Sequence, residues 1–469
     1  MITARAFAGK HYGVYGLARS GIATVEALLA SRARVTAWDA REEARAALRS
    51  SLSRSDGEVA ARSTDGGASG AAELAPPPPS AVPLPTGFAG REELQIADLD
   101  SADLAQFDSL VVTPGLPLNR HPIAKRAREA GVEIIGDIEL FARARPELPP
   151  HKVVGITGTN GKSTTTALVH HILRTAGVPA TMGGNIGLPI LAQDPLPEGG
   201  VYVLELSSYQ IDLTQSLDCD VAVLLNITPD HLDRYDSFEA YAASKARLFE
   251  MLTPPHVAVI DCYDVEGDEV PLEYVSSGVS VRQINRFFVD QSNWPTLQGP
   301  HNAQNAVAAK EVCDTLGIDE ATVERGLRTY PGLPHRMERV REKDGVLFVN
   351  DSKATNAEAA APALAAYSKV RWILGGQAKT DSLGDTEPQL GHVVKAYTIG
   401  EAGPMFARLL RDRGVAVSEC ESLENAVNEA AKDSQRGEVV LLSPASASFD
   451  QFRDFEARGD RFRELVEGL

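Results

Sequence analysis

Residues 155–164 read Gly-Ile-Thr-Gly-Thr-Asn-Gly-Lys-Ser-Thr, a glycine-rich turn between an apolar run and a stretch of helix formers. A strand passing through such a turn into a helix aims backbone N–H groups and the positive helix end at an anion. Lys162 adds a point charge for outer phosphates, and Ser163 a hydroxyl suited to a magnesium ion. The strict phosphate-loop spacing, G-x-x-x-x-G-K-[ST], would need glycine at Ile156. Here Gly155 falls one residue early and Gly158 is extra, so the loop reads as a variant nucleotide site. Downstream, Glu205 lies in "VYVLEL", and His231 follows "VAVLLNI" within "LNITPDHLDRYDS". Strand C-termini are where open α/β sheets keep ligands, and a carboxylate with an imidazole there suits a metal beside phosphates. A second loop, Gly16-Leu17-Ala18-Arg19-Ser20-Gly21 followed by Asp39, resembles a dinucleotide fingerprint with its middle glycine replaced. Ala18 hinders close approach of a pyrophosphate to the backbone, which weakens a nicotinamide-dinucleotide reading.

The elements that must position these residues alternate along the chain. Strand candidates "HYGVYG" (11–16) and "RVTAWD" (34–39), with a helical stretch between, give a βαβ start. Residues 49–87 are rich in Ser, Gly, Ala and Pro and read as a flexible surface insertion. "SLVVTPG" (109–115), a helix around 122–130 and "VEIIGDIELF" (132–141) close the first unit. "KVVGIT" (152–157), "VYVLEL" (201–206) and "VAVLLNI" (221–227) build a second, running to about residue 331. The third starts at "GLPHRMERV" (332–340) and continues through "VLFVND" (346–351), "VRWILGG" (370–376), "KAYTIG" (395–400) and "EVVLLSP" (438–444). Strands alternating with helices three times over predict an α/β chain on largely parallel sheets.

Composition removes other classes. The 469 residues carry 64 acidic and 46 basic side chains, a formal charge of −18, which argues against nucleic-acid binding. An anionic ligand must therefore be met by locally placed cations or a metal. Cys219, Cys262, Cys313 and Cys420 are scattered and read as free thiols in a reducing compartment. No apolar run approaches the ~18 residues of a membrane span, and the start lacks a signal-peptide core, so a cytoplasmic, soluble protein without membrane insertion is expected.

"GITGTNGKST", "LELSSYQ", "LNITPDHLDRY", "GPHNAQNA", "GLPHRME" and "NDSKATN", in this order, resemble the Mur ligase family. These are ATP-dependent amino-acid ligases of peptidoglycan precursor synthesis, and their loop has the G-T-N-G-K-[ST] form. The resemblance covers the chain outside 49–87. It implies a UDP-precursor-binding Rossmann-like domain (1–137), a central P-loop ATPase-like domain (138–331) and a C-terminal Rossmann-like, amino-acid-binding domain (332–469). "MGGNIGLP" (182–189), "GDIELF" (136–141) and "LLSPASASFDQFRDFEARG" (441–459) are similar to the family's D-glutamate-adding members. The implied substrates are UDP-N-acetylmuramoyl-L-alanine and D-glutamate, joined through an acyl phosphate with ATP and two Mg²⁺ ions, in a monomer. A folylpolyglutamate synthase is a rival, although it would lack the UDP-binding first domain; an ATP-driven switch without ligation is another.

Residue by residue, the resemblance assigns ATP to Gly158, Thr159, Asn160, Gly161, Lys162, Ser163, Thr164, Asn302, Asn305, Arg336 and Asp351. Arg336 comes from the third domain, so ATP would bridge two domains and favour closure. It assigns Mg²⁺ to Ser163, Glu205, His231 and a carbamylated Lys245. The UDP precursor falls to Ser20, Asp39, Arg41, Gly115, Asn185, Ser207 and Gln210, with Ala40 standing where threonine is familiar. D-Glutamate falls to Lys353, Thr355, Lys379, Ser448, Phe449 and Phe455, with Phe449 in a leucine position. Lys162, His231, Lys245 and Lys353 are the implied catalytic set.

Overall fold

The computed structural model describes residues 1–61, 93–228, 230, 234–261, 275, 277–285 and 289–469, with the backbone alone for 53–61. The chain divides into two compact units, residues 1–162 with 177–282, and residues 163–176 with 283–469.

The first unit contains a five-stranded sheet of β1 (His11–Tyr15), β2 (Arg34–Trp38), β3 (Leu94–Ile96), β4 (Ser109–Val112) and β5 (Glu133–Ile135). Its order is β3-β2-β1-β4-β5 and each paired neighbour is parallel. Side chains alternate between two cores, with Tyr12, Val14, Val35 and Val111 on one face and Tyr15, Leu110 and Val112 on the other. The helix Arg19–Ala30 follows β1 directly, and a Cβ on Gly21 would lie 1.8 Å from the carbonyl oxygen of Gly16. Only glycine allows that turn to close.

A second sheet holds β6 (His151–Thr157), β7 (Ala180–Gly184), β8 (Gly200–Glu205), β9 (Val221–Leu224), β10 (Val257–Ile260) and β11 (Ser280–Gln283), in the order β11-β10-β9-β6-β8-β7. β8 and β9 flank β6 and are buried along their whole length, as parallel strands covered on both faces must be. The loop after β6, Glu205 at the end of β8 and Asn226 just past β9 therefore emerge at neighbouring strand C-termini.

The second unit is built on β12 (Glu338–Lys343), β13 (Val346–Asn350), β14 (Val370–Gly375), β15 (Val393–Ile399), β16 (Val417–Glu421) and β17 (Val439–Leu442). The order is β12-β13-β17-β14-β15-β16, parallel except that β12 runs antiparallel to β13 at the edge. Val349, Trp372, Leu374 and Leu441 face one core, and Phe348, Ile373, Val440 and Leu442 the other. The apolar runs of β13, β14 and β17 are thus shared between two cores.

One expectation changes. Residues 49–61 belong to the helix Glu42–Ala61, because its Ala-, Leu-, Arg- and Glu-rich start carries helix propensity into the stretch read as insertion. The remainder of that insertion, from residue 62, lies outside the described residues. Within "VEIIGDIELF", β5 stops at Ile135 and the helix Asp137–Ala144 begins two residues later. Cys219, Cys313 and Cys420 are free and buried, and Cys262 lies outside the described residues. No described helix is long and apolar enough to cross a membrane.

Candidate active site

In the first unit the glycine loop is held from below by a residue that sequence reasoning passed over. Asn226 Oδ1 accepts the backbone N–H groups of Thr159 (3.1 Å) and Asn160 (2.8 Å), and its Nδ2 donates to the carbonyl of Asn160 (3.2 Å). Thr159 Oγ1 donates to the carbonyl of Thr228 (3.1 Å) and lies 3.2 Å from the hydroxyl of Tyr241. Two of the amides expected to face phosphate are therefore turned toward the strand-end loop. The signal was present in "LNITPD", where an asparagine directly past an apolar strand is placed to satisfy a neighbouring loop.

Two lysines converge on one carbonyl of that loop. Lys162 Nζ donates to the carbonyls of Gly158 (3.0 Å) and Thr159 (2.8 Å), and Lys245 Nζ donates to Gly158 at 2.9 Å. Lys245 lies on the helix Phe238–Glu250, capped by Ser237, and is 1% exposed, so it is no surface lysine. Its ammonium rests 4.6 Å from the ring centre of Tyr241. Burial, then the nearby Lys162 charge, drives its pKa well below the ordinary lysine value, against the opposing pull of Asp230 and Asp212.

Glu205 is buried, with Oε1 accepting from Asn185 Nδ2 at 2.9 Å and Oε2 left without a partner. An orphaned buried carboxylate oxygen is costly unless a ligand completes it, and a hard cation is the fitting group. His231 lies outside the described residues. Among the described residues no group of three or more His, Cys, Asp or Glu side chains is gathered tightly enough to hold a metal.

The residues expected to meet the UDP precursor lie in the same unit, several of them tied to local structure. Asp39 is buried, and its Oδ2 accepts the Leu17 amide (2.8 Å) while Oδ1 accepts the Arg41 amide (2.9 Å) and Nε (3.2 Å). Burial alone would raise its pKa, but those donors outweigh it and hold the carboxyl below its usual range. Asp39 thus clamps the Gly16–Gly21 loop. Ser207 and Gln210 form a capping box at the start of the helix Ser208–Asp212. Ser20 is half-buried, while Asn185 and Gly115 are exposed. The carbonyls of Pro114, Gly115 and Leu116 accept from Arg234, whose guanidinium lies 4.2 Å over the Tyr209 ring.

In the second unit, Asn302 and Asn305 are buried rather than surface amides. Asn305 Nδ2 donates to Asn302 Oδ1 (3.2 Å), Asn305 Oδ1 accepts from Thr165 (3.2 Å), and Asn302 Nδ2 donates to the Gln298 carbonyl (3.0 Å). Arg336 Nη2 donates to Ser163 Oγ at 3.1 Å, bringing together two residues expected at phosphate and metal. Arg336 stands between two residues in the left-handed region, His335 (φ 60°) and Met337 (φ 48°). Asp351 holds that turn, since its Oδ1 accepts the Met337 amide (3.2 Å) and its Oδ2 the Ser443 hydroxyl (2.8 Å). Burial raises the Asp351 carboxyl to about 7 despite those donors and Arg336. The Lys353 ammonium lies 4.4 Å over the Phe455 ring. Lys379 is exposed, Thr355 half-buried, Ser448 buried, and Phe449 69% exposed.

The sequence matches two family models, the Mur ligase middle domain over residues 156–313 and the Mur ligase glutamate ligase domain over residues 335–446. The chain belongs to the Mur ligase family, the ATP-dependent ligases of peptidoglycan precursor synthesis. It is 56% identical to the UDP-N-acetylmuramoylalanine–D-glutamate ligase of Novosphingobium aromaticivorans, over 100% of this chain and 97% of that one. The enzyme of the same name from Zymomonas mobilis is 52% identical over the full length of both. The backbone is similar to the UDP-N-acetylmuramate–alanine ligase of Thermotoga maritima, with a TM-score of 0.54 and 17% identity over 98% of this chain and 99% of that one.

Proposed function

We propose that this Mur ligase adds D-glutamate to UDP-N-acetylmuramoyl-L-alanine, releasing ADP and phosphate. The observation that carries the proposal is identity above half, over the full length, to a relative of that name. The three sheets support a three-domain reading with boundaries near 137 and 331. The UDP precursor belongs to the first domain, ATP to the central one with help from Arg336 and Asp351, and D-glutamate to the third. The reading includes a monomer working in the cytoplasm.

The alanine carboxylate attacks the γ-phosphorus and ADP leaves; the D-glutamate amine then attacks the acyl carbon, loses a proton and expels phosphate. Both steps bring anions together, so the chain's cations do most of the work. Lys162 neutralises the outer phosphates. Glu205, Ser163, His231 and Lys245 are the proposed holders of Mg²⁺, whose presence would supply further charge neutralisation. The orphaned Glu205 oxygen supports that assignment. The depressed proton affinity of Lys245 supports carbamylation: an uncharged amine attacks CO₂, and the carbamate carries oxygens where an ammonium would repel a cation. Arg336 orients the triphosphate, Asn302 and Asn305 the adenine, and Asp351 the ribose. Lys353, Thr355, Lys379 and Ser448 meet the two carboxylates of D-glutamate, with Phe449 and Phe455 beside them.

The test is ADP release with UDP-N-acetylmuramoyl-L-alanine and either D-glutamate, L-glutamate or diaminopimelate. Turnover is expected only with the precursor and D-glutamate together. Lys162→Ala should abolish it while precursor binding persists. ATP turnover that is equal without the amino acid would replace ligation with a switch.

A further inference from the structure

We infer that Arg458 is the positioning residue for the amino-acid end of the site, gathering the three loops that carry Lys353, Lys379 and Ser448. The inference rests on the D-glutamate reading proposed above and concerns the second unit alone. Arg458 lies one turn into the helix Phe455–Glu467 and is 1% exposed. Its Nε donates to Ser352 Oγ (3.0 Å) and its Nη2 to the carbonyls of Ser352 (2.9 Å) and Ser446 (3.0 Å). Its Nη1 donates to the carbonyls of Ala447 (3.3 Å) and Gly375 (3.4 Å). Those acceptors come from the segments after β13 and β17 and from the last residue of β14, and the chain runs on from them to Lys353 and Thr355, to Ser448, and to Lys379 respectively.

A guanidinium offers five donors in a fixed plane, so one side chain can set the relative positions of several loops at once. The arrangement is reinforced around it. Ser352 Oγ also donates to the carbonyl of Phe455 (2.8 Å), whose ring carries the Lys353 ammonium. Gln377 and Ala447 exchange backbone hydrogen bonds at 2.9 and 3.0 Å, joining two of the loops directly. A Cβ on Gly376 would lie 2.2 Å from the Ala447 carbonyl and 3.2 Å from Arg458 Nη1, so the close approach requires glycine. All five Arg458 bonds end on hydroxyl or carbonyl oxygens, none on a carboxylate. Burying a cation in that way is costly, which sets it apart from an ordinary structural ion pair. Burial lowers its pKa to about 10, with Asp450 pulling the other way, so the charge persists at neutral pH. A substrate with two carboxylates is the ligand such a charge favours.

Steady-state kinetics of Arg458→Lys, Arg458→Met and Ser352→Ala test this, with calorimetric binding of UDP-N-acetylmuramoyl-L-alanine as the control on the other unit. Lysine keeps the charge but has three donors on a flexible stem, so the KM for D-glutamate is expected to rise about tenfold, and further in the methionine variant. Ser352→Ala should give a smaller rise, and precursor binding should stay within about twofold in all three, since mutations distant from a site add independently. A native D-glutamate KM in Arg458→Lys overturns the proposal. So does a loss confined to kcat or spread equally over both substrates, which would mark a purely structural residue. If Arg458→Met fails to fold, the lysine and Ser352 variants still decide. Absence of D-glutamate-dependent turnover in the wild type would instead overturn the functional reading on which the inference rests.

Discussion

Replacing Asn226 by alanine removes three hydrogen bonds to Thr159 and Asn160 of the nucleotide loop while leaving the loop's own sequence unchanged. The Thr159 amide retains a second partner, the Asn226 backbone carbonyl at 3.0 Å, so its loss is partial. The Asn160 amide and carbonyl lose their side-chain partner outright. Asn160 is exposed, so water replaces part of what is removed. At ~0.5–1.5 kcal/mol for each net hydrogen bond, the loop is weakened by about 1–3 kcal/mol. If that cost is met when the loop orders on the triphosphate, kcat/KM for ATP falls by roughly 5- to 150-fold. Asn226→Asp keeps the acceptor but loses the donor and adds a negative charge beside the phosphates, so it should be worse than alanine for ATP. The assay is coupled ADP release with ATP varied at saturating precursor and D-glutamate, alongside calorimetric binding of the precursor. An alanine variant within twofold of wild type for ATP would show that the loop holds its shape unaided.

Three further outcomes follow from the same geometry. Lys245→Ala and Lys245→Arg should both lose most activity, a short added carboxylate should partly restore the alanine variant, and ¹³C-bicarbonate should give a carbamate NMR signal in the wild type; native activity in Lys245→Arg would refute carbamylation. Asp351 has a folded pKa raised from 3.8 to about 7, so the stability it contributes is fully present below about pH 4 and is lost as pH rises through about 7. Thermal unfolding from pH 4.5 to 8.5 should therefore show the wild type losing stability relative to Asp351→Asn as pH rises, and a constant difference would show that the carboxyl ionises normally. Deleting residues 63–91 behind a short linker should leave activity within a few-fold, since loop length costs only ~0.6 kcal/mol per doubling; loss of activity with the fold intact would make the segment part of the site.

Much of the architecture was legible because the parallel strands are unbroken apolar runs. β6, β8, β9 and β14 are buried almost throughout, and "VVGIT", "VYVLE", "VAVL" and "VRWILG" announce them. Several of the strands that escaped notice carry weaker signals. β12 reads Glu-Arg-Val-Arg-Glu-Lys and β16 Val-Ser-Glu-Cys-Glu, both at sheet edges where one side need not be apolar. β7 reads Ala-Thr-Met-Gly-Gly, whose glycines lack strand propensity and are set by contact with β8. The chemistry-bearing residues were found because their motifs are contiguous. Asn226 and Arg458 were not singled out, because their work is to hold backbone groups distant in sequence, and a backbone partner leaves no pattern in its own residue type.

Burial of charge shows why Lys245 and Arg458 are not interchangeable. Each is 1% exposed, and each donates to backbone carbonyls without a carboxylate at the end of any of those bonds. Desolvation opposes the charged form in both. A lysine starts from 10.5, and burial combined with Lys162 brings it well below that value. An arginine starts from 12.5 and falls only to about 10, so it remains a cation at any physiological pH. The same physical cost therefore weakens the hold on the proton at one position and leaves a permanent charge with fixed geometry at the other. Arginine at 245 could not become a carbamate ligand, and lysine at 458 could not span the three loops with a fixed plane of donors. A chain with a net charge of −18 meets its anionic substrates through a few cations whose surroundings, rather than whose number, decide what each one does.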